Sequence, residues 1–195
     1  MPETRPEKSK AAHPFETPAP FSIQHKLQRA LWRITWFLCA AWTPPQLRVW
    51  RIFLLRRFGA TIGDHADVRG SAQVWYPPNL VMGDHTILAE GVRCYNMARI
   101  TIHPETIISQ RCFLCAGDHD FRQPNMPLVI KPIEIGPQAW VAAEAMIGPG
   151  AIVAHNCVVG ARAVVFGTLQ SGGIYAGNPA RKIGARDKGA TDAPA

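Results

Sequence analysis

Between Thr17 and Gly63 the chain carries no acidic residue at all. The same stretch holds Lys26, Arg29, Arg33, Arg48, Arg51, Arg56 and Arg57, seven positive charges that equal the whole formal excess of +7. The rest of the chain is therefore balanced, and any attraction for an anionic surface is confined to one aromatic-rich segment. Such a patch suits a membrane as well as nucleic acid. The segment lacks any recognised nucleic-acid-binding motif, however, and its arginines are interleaved with core-like aliphatics, so no nucleic-acid partner is expected.

Also missing is an apolar run of the length a spanning helix needs, about 20 residues. The most apolar stretch, Ala30 to Trp42, is broken by Arg33 and Thr35. It begins behind a polar leader, too far in for a secretory signal. The five cysteines, Cys39, Cys94, Cys112, Cys115 and Cys157, are odd in number and scattered. Free thiols in a reducing, cytoplasmic compartment are the expectation, with contact at the inner face of the membrane left open. With 47% hydrophobic and 18% charged residues in 195, the chain suits one globular domain plus an extension.

Residues 1–20 are polar and proline-bearing and read as a disordered lead, and 185–195 as a disordered tail. Residues 21–58 form a basic aromatic helical segment. Ser22 is placed to cap a first helix in which Leu27, Leu31, Ile34, Leu38 and Trp42 recur at helical spacing. Thr43-Pro44-Pro45 stops it, and a second segment from Gln46 to Phe58 carries Leu47, Trp50, Phe53 or Leu54, and Phe58. Trp32, Trp36, Trp42 and Trp50 all lie here, and tryptophan with arginine favours the headgroup region of a bilayer. The same residues suit packing on the following domain or on a neighbouring subunit, and both readings stand at this point.

From Ile62 the pattern changes to a six-residue beat. Hexads start at Ile62, Val68 and Val74; at Met82, Leu88 and Cys94; and at Ile102, Ile108 and Leu114. After a gap they resume at Ile135, Val141, Ile147, Val153, Val159 and Val165. The first three triplets are offset by twenty residues, and IGDH at 62–65 nearly repeats as MGDH at 82–85. Three hexads make one triangular turn, with the aliphatic residue inward. A small residue four places on (Ala66, Ala72, Thr86, Ala139, Ala145, Ala151) lets the chain round a corner. The period-two alternation and longer strands of a sandwich are absent. A parallel β-helix spanning 59–184 is the expected domain.

Repeats such as IGPQAWVAAEAMIGPGAIV (135–153) and the closing YAGNPARKI (175–183) resemble the hexapeptide-repeat acyltransferases. The helical lead PFSIQHKLQRALWRITWFL and the passage ISQRCFLCAGDHDF resemble, more narrowly, the exopolysaccharide (colanic-acid-type) acetyltransferases, relatives of the galactoside and maltose acetyltransferases. The resemblance implies a left-handed β-helix, acetyl-CoA as donor, a sugar hydroxyl as acceptor, no metal, and a homotrimer with active sites between neighbouring helices. A three-faced prism offering one face to each neighbour closes naturally as a trimer.

His119 follows the hexad of Leu114, at the start of the one long break in the repeat, residues 116–134. It stands where this family places its catalytic histidine. Acetyl transfer needs a base for the acceptor hydroxyl, and imidazole is matched to that task near neutral pH. Asp118 and Asp120 flank it as candidates for orienting the ring or binding the acceptor. For the donor arm the resemblance points to Trp140 as a channel wall. It points to Ala142, Ala143 and Ala161 as small residues along which pantetheine lies, and to Arg181 and Lys182 near the nucleotide phosphates.

Some features depart from the family or point elsewhere. Many relatives carry a threonine–lysine pair where this chain has Phe166-Gly167. The acceptor-contacting asparagine of galactoside acetyltransferases has no clear counterpart in LAEGVRCYNM; Asn96 is nearby but out of register, a further acceptor candidate. A free galactoside is thus not the expected acceptor; an exopolysaccharide or lipid-linked saccharide precursor is. His65 and His85 fall at equivalent positions one coil apart and should stack. With His103 they raise a rival, a metal-dependent hydrase resembling the γ-class carbonic anhydrases. A non-catalytic scaffold is the other alternative. Cys112 and Cys115 suggest a covalent acyl-cysteine or redox pair, against which their hexad positions predict burial.

Overall fold

The computed structural model describes residues 21–186, so the expected lead, residues 1–20, and all but the first two residues of the expected tail lie outside the described residues. The hexads build three parallel sheets. The first stacks β1 (Thr61–Ile62), β4 (Leu80–Met82), β7 (Ile100–Ile102), β12 (Ile133–Ile135), β15 (Ile152–Val153) and β18 (Thr168–Leu169). The second stacks β2 (Asp67–Val68), β5 (Ile87–Leu88), β8 (Ile107–Ile108), β13 (Trp140–Val141), β16 (Val158–Val159) and β19 (Gly173–Ala176). Against β19, β20 (Arg181–Ala185) runs antiparallel and closes the solenoid. The third sheet stacks β3 (Gln73–Val74), β6 (Arg93–Tyr95), β9 (Phe113–Cys115), β14 (Met146–Ile147) and β17 (Val164–Val165).

Every hexad start from Ile62 to Val165 is buried, as are the small corner residues, so the prism interior is a continuous aliphatic ladder. Two features were not legible in the hexad beat. The residue before most of the small corner residues takes a left-handed backbone, His65 (φ 57°), His85 (φ 55°) and Glu105 (φ 59°) at one corner and Arg111, Glu144 and Arg162 at the next, Ser71 before Ala72 being an exception. That conformation costs non-glycine residues free energy, and here it is imposed by the ladders on either side. The solenoid also continues past Val165: Val153 pairs with Leu169, sixteen residues on, so the last coil is two residues short and Leu169 and Tyr175 fill its interior.

Two helices precede the coils, α1 (Ile23–Cys39), capped by the Ser22 hydroxyl on the His25 N–H, and α2 (Arg48–Arg57), entered through a 3-10 turn at Pro45–Leu47. They solve a problem of the first coil. Later coils' inward residues offer their carbonyls to the N–H groups of the preceding coil, as Met82, Leu88 and Cys94 do, but the carbonyls of Ile62, Val68 and Val74 have no earlier coil to meet. Arg56 donates to the Ile62 carbonyl (3.0 Å), Arg51 to that of Val68, Trp32 Nε1 to that of Val74 (2.7 Å) and Trp36 Nε1 to that of Gly70 (3.1 Å). Each of the three sheets receives at least one donor. Arg51 is fully buried, holds Thr43, Pro44 and Pro45 as well, and faces Asp67 at 3.5 Å. Arg51 therefore leaves the basic surface patch to which its charge assigned it, while Arg56 stays exposed with its guanidinium on the Ile62 carbonyl and beside Asp64.

The packing face of α1 differs from the one its spacing suggested. Trp32 and Trp36 face the coils, while Leu27, Leu31, Ile34 and Leu38, and Trp42 beyond the helix end, are exposed. The helix is apolar on two opposite faces, and the pair of indoles that also bond carbonyls takes the inner one.

Candidate active site

The long break in the repeat is a β-hairpin rather than an irregular loop. It pairs β10 (Gly117–His119) with β11 (Leu128–Ile130), antiparallel, with His119 opposite Leu128. It leaves the prism directly after β9, at the corner where the third sheet gives way to the first, and returns through Lys131 N–H on the Ala116 carbonyl (3.0 Å). The His119 ring is exposed at the end of β10. Its Nδ1 lies 2.7 Å from the Met126 carbonyl oxygen across the hairpin tip. A carbonyl only accepts, so Nδ1 carries the proton, and in the neutral ring the lone pair is on Nε2.

The flanking carboxylates do other things. Asp118 accepts from the backbone N–H of His119 (2.8 Å). Asp120 accepts from Gln123 Nε2 (3.0 Å) and the Arg122 N–H (3.1 Å), and these bonds, the Gln123 one first, hold its carboxyl below the usual range. Neither touches the imidazole in this chain; Asp120 shapes the tip that presents Met126. The orienting group is thus a backbone carbonyl, which no side-chain pattern announces.

Asn96 is fully buried. Its amide accepts from the Tyr76 N–H (3.0 Å) and donates to the Tyr76 carbonyl (2.7 Å), clamping neighbouring coils. Burial takes it off the surface an acceptor meets, so the candidate role given to Asn96 is replaced by a structural one.

The donor-arm candidates gather elsewhere. Trp140 stands outward on β13, half exposed, its Nε1 on the Ser109 hydroxyl (2.9 Å), in register with Ile107 and Val158. At the corner between the second and third sheets the coils stack Ser109, Ala142, Gly160 and Ala176 in one file, with Ala143 and Ala161 in the next. The two files make a shelf of small side chains. Arg181 and Lys182 are exposed on β20 at the same end, Lys182 beside Tyr175. Phe166 lies over Gly148, where a Cβ would sit 2.3 Å from its ring. The shelf and His119 occupy different corners of the prism, so one chain does not bring them together.

A concavity of about 1070 Å³ opens between α1 and the third sheet, lined among others by Arg29, Trp75, Arg93 and Tyr95. Arg29 stacks on Trp75 at 3.8 Å, and Tyr95 reaches Gly117 at the root of the hairpin. His65 and His85 stack on the surface, centroids 4.8 Å apart, and His103 Nε2 meets Glu134 at 3.1 Å. Among the described residues no three His, Cys, Asp or Glu side chains form a metal-holding group. Cys112 and Cys115 are buried, donating to the carbonyls of Ala142 (3.0 Å) and Gly117 (3.1 Å). Burial pushes the Cys112 thiol up to about 11 and raises that of Cys115.

Three short-stranded parallel sheets wound as six coils, interrupted once by a histidine-bearing hairpin, define the hexapeptide-repeat acyltransferase class. No family model matches the chain. A protein of Escherichia coli (strain K12) named "Putative colanic acid biosynthesis acetyltransferase WcaF" is 36% identical over 166 residues, 85% of this chain and 91% of its own. The protein of that name from Shigella flexneri matches to the same extent. Given that likeness, the chain belongs to the colanic-acid acetyltransferase family of hexapeptide-repeat enzymes.

Solved structures share the fold. A maltose O-acetyltransferase from Clostridium difficile 630 superposes with a TM-score of 0.78 at 19% identity, over 86% of this chain and 90% of its own. A hexapeptide-repeat acetyltransferase from Vibrio cholerae O1 biovar eltor, complexed with acetyl coenzyme A, gives 0.77 at 20%, over 89% and 95%. A galactoside acetyltransferase in complex with coenzyme A gives 0.71 at 19%, over 86% and 84%.

Proposed function

We propose that the chain transfers an acetyl group from acetyl-CoA to a hydroxyl of a saccharide, an exopolysaccharide or lipid-linked precursor, by direct attack with His119 as general base. The observation that carries this reading is the bond from His119 Nδ1–H to the Met126 carbonyl, which leaves Nε2 as the proton acceptor. Nε2 takes the hydroxyl proton as that oxygen bonds to the thioester carbonyl carbon. The tetrahedral intermediate collapses with cleavage of the C–S bond, and the imidazolium returns the proton to the leaving thiolate. No acyl-cysteine is needed, and the buried thiols are poor nucleophiles.

The donor lies along the shelf of Ala142, Ala143 and Ala161 with Trp140 as one wall, and its phosphates meet Arg181 and Lys182. Because shelf and histidine stand at different corners, a homotrimer supplies them from adjacent chains, with the acceptor approaching from the Trp75–Tyr95 groove at the hairpin root. The relatives named for colanic acid biosynthesis and the fold relatives bound to coenzyme A support both substrates.

The test is thiol release from acetyl-CoA with a panel of saccharides, free and lipid-linked, for the full chain and for His119→Ala. Acceptor-dependent release that collapses in the variant is expected. Release that survives His119→Ala overturns the mechanism, and release without any acceptor preference overturns the saccharide assignment.

A further inference from the structure

The outer face of α1 is apolar along its whole length and covered by nothing among the described residues. Ile23, Leu27, Leu31, Ile34 and Leu38 follow one another at spacings of three and four and share one face of the helix. Ile23 is 76% exposed, Leu38 60%, and Trp42 just beyond the helix end 71%. The face continues onto α2, because Trp50 Nε1 donates to the Cys39 carbonyl (2.8 Å) and stacks on Phe53, which is itself exposed. A soluble protein rarely leaves so long a contiguous apolar strip in water.

What covers it is indicated by charge. Lys26 and Arg33, two turns apart, run along one edge of the strip, and Arg48 stands beside its α2 end, all exposed. The ion pairs of this segment are those of Arg51 with Asp67 and Arg56 with Asp64, so these three cations have no acidic partner among the described residues. No acidic residue occurs from Thr17 to Gly63. Pairing this face with the same face of a second copy would set Lys26 and Arg33 against their equivalents with no acid between them. Neither helix is long and apolar enough to cross a bilayer. An apolar strip edged by long basic side chains, which reach up to phosphate while their stems stay in the apolar layer, is the pattern of a helix lying in the headgroup plane.

We propose that the outer face of α1, with the start of α2, docks the enzyme on the surface of an anionic lipid bilayer. The inner face of α1 stays on the first coil through Trp32 and Trp36, so docking needs no unfolding. The prism is then held by its N-terminal end against the lipid.

Co-sedimentation of the full chain tests this, with vesicles of phosphatidylcholine alone and of equal parts phosphatidylcholine and phosphatidylglycerol. Binding to the anionic vesicles about tenfold stronger than to the neutral ones is expected, falling as salt rises. Leu31→Glu with Leu38→Glu should abolish it, and Lys26→Gln with Arg33→Gln should remove the preference for anionic lipid. Both substitution pairs lie on exposed side chains, and an unchanged thermal midpoint confirms that each variant is folded. Failure of the full chain to bind either vesicle overturns the proposal. So does an assembly, measured by sedimentation velocity without lipid, that is lost in the Leu31→Glu, Leu38→Glu variant, because the face would then be occupied by a second copy.

Discussion

The imidazole Nδ1 of His119 is bonded to the backbone carbonyl of Met126, 2.7 Å away across the tip of the β10–β11 hairpin. This contact does what a carboxylate does in many catalytic histidines, fixing tautomer and ring angle, but without a negative charge beside the ring. His119→Ala should lower kcat by roughly 10²–10⁴ while leaving KM for acetyl-CoA nearly unchanged. Asp118→Asn should leave most of kcat intact, since that carboxylate bonds the His119 backbone and not its ring. Steady-state kinetics on both variants checks the split. A loss with Asp118→Asn as large as that with His119→Ala would place the carboxylate in the chemistry.

The cysteines give a complementary expectation. Cys112 lies fully buried, its thiol donating to the Ala142 carbonyl and pushed up to about 11, and Cys94 is pushed up to about 12 by burial alone. At neutral pH almost none of either is thiolate. Cys112→Ala and Cys115→Ala should both retain kcat, and iodoacetamide on the native protein should leave activity unchanged. Loss of activity on alkylation, with recovery in Cys115→Ala, would revive the covalent route.

How far the sequence could be read follows from what each contact is made of. The inward ladder from Ile62 to Val165 was legible because side-chain identity decides it, one aliphatic per six residues. The surface stacking of His65 on His85 was legible for the same reason. The contacts that were not legible are made to backbone. Met126 enters through its carbonyl, and Arg56, Arg51 and Trp32 are drawn to the carbonyls of Ile62, Val68 and Val74, which any residue would present. The spacing of α1 showed an apolar stripe but not which of two apolar faces would turn inward. The face turned inward is the one whose indoles, Trp32 and Trp36, supply donors to the Val74 and Gly70 carbonyls of the first coil.

Trp32 therefore carries both packing and an edge bond. It is fully buried against Trp36 and Phe58, and its Nε1 satisfies Val74. Trp32→Ala should destabilise the chain by about 3–5 kcal/mol. Trp32→Phe, which keeps the ring but strands the carbonyl, should cost about 1–3 kcal/mol. Chemical denaturation of the three proteins measures both. No loss in Trp32→Phe would mean that the hydrogen bond contributes nothing beyond the ring.

Glu144 sits between two arginines at one corner of the prism. Arg162 Nε is 2.6 Å from one carboxylate oxygen and Arg111 Nε 2.9 Å from the other. Those bonds, Arg162 first and Arg111 second, hold the Glu144 carboxyl below its ordinary 4.5. A carboxyl depressed by folding adds stability above its unfolded value, and that stability is lost as pH falls through the folded value. Glu144→Gln should thus be less stable than the native chain at about pH 7, and the difference should narrow at about pH 3. Urea unfolding of both proteins at the two pH values tests the sign. A difference that persists in acid would assign the contribution of Glu144 to something other than its charge.

Arg181 and Lys182 stand exposed on β20, the strand that closes the last coil, at the end of the shelf formed by Ala143 and Ala161. If they meet the nucleotide phosphates of the donor, their effect depends on those phosphates being present. Arg181→Gln with Lys182→Gln should raise KM for acetyl-CoA roughly tenfold, about 1.4 kcal/mol, with kcat unchanged. The increase should shrink as salt is added, because exposed charges are screened. With S-acetylpantetheine, which has the thioester arm and no phosphate, native and variant enzymes should show the same KM. A matching rise with both donors would mean that the substitutions disturb the shelf itself. No change with either would mean that the two cations are only solvated and that the nucleotide lies elsewhere on the coils.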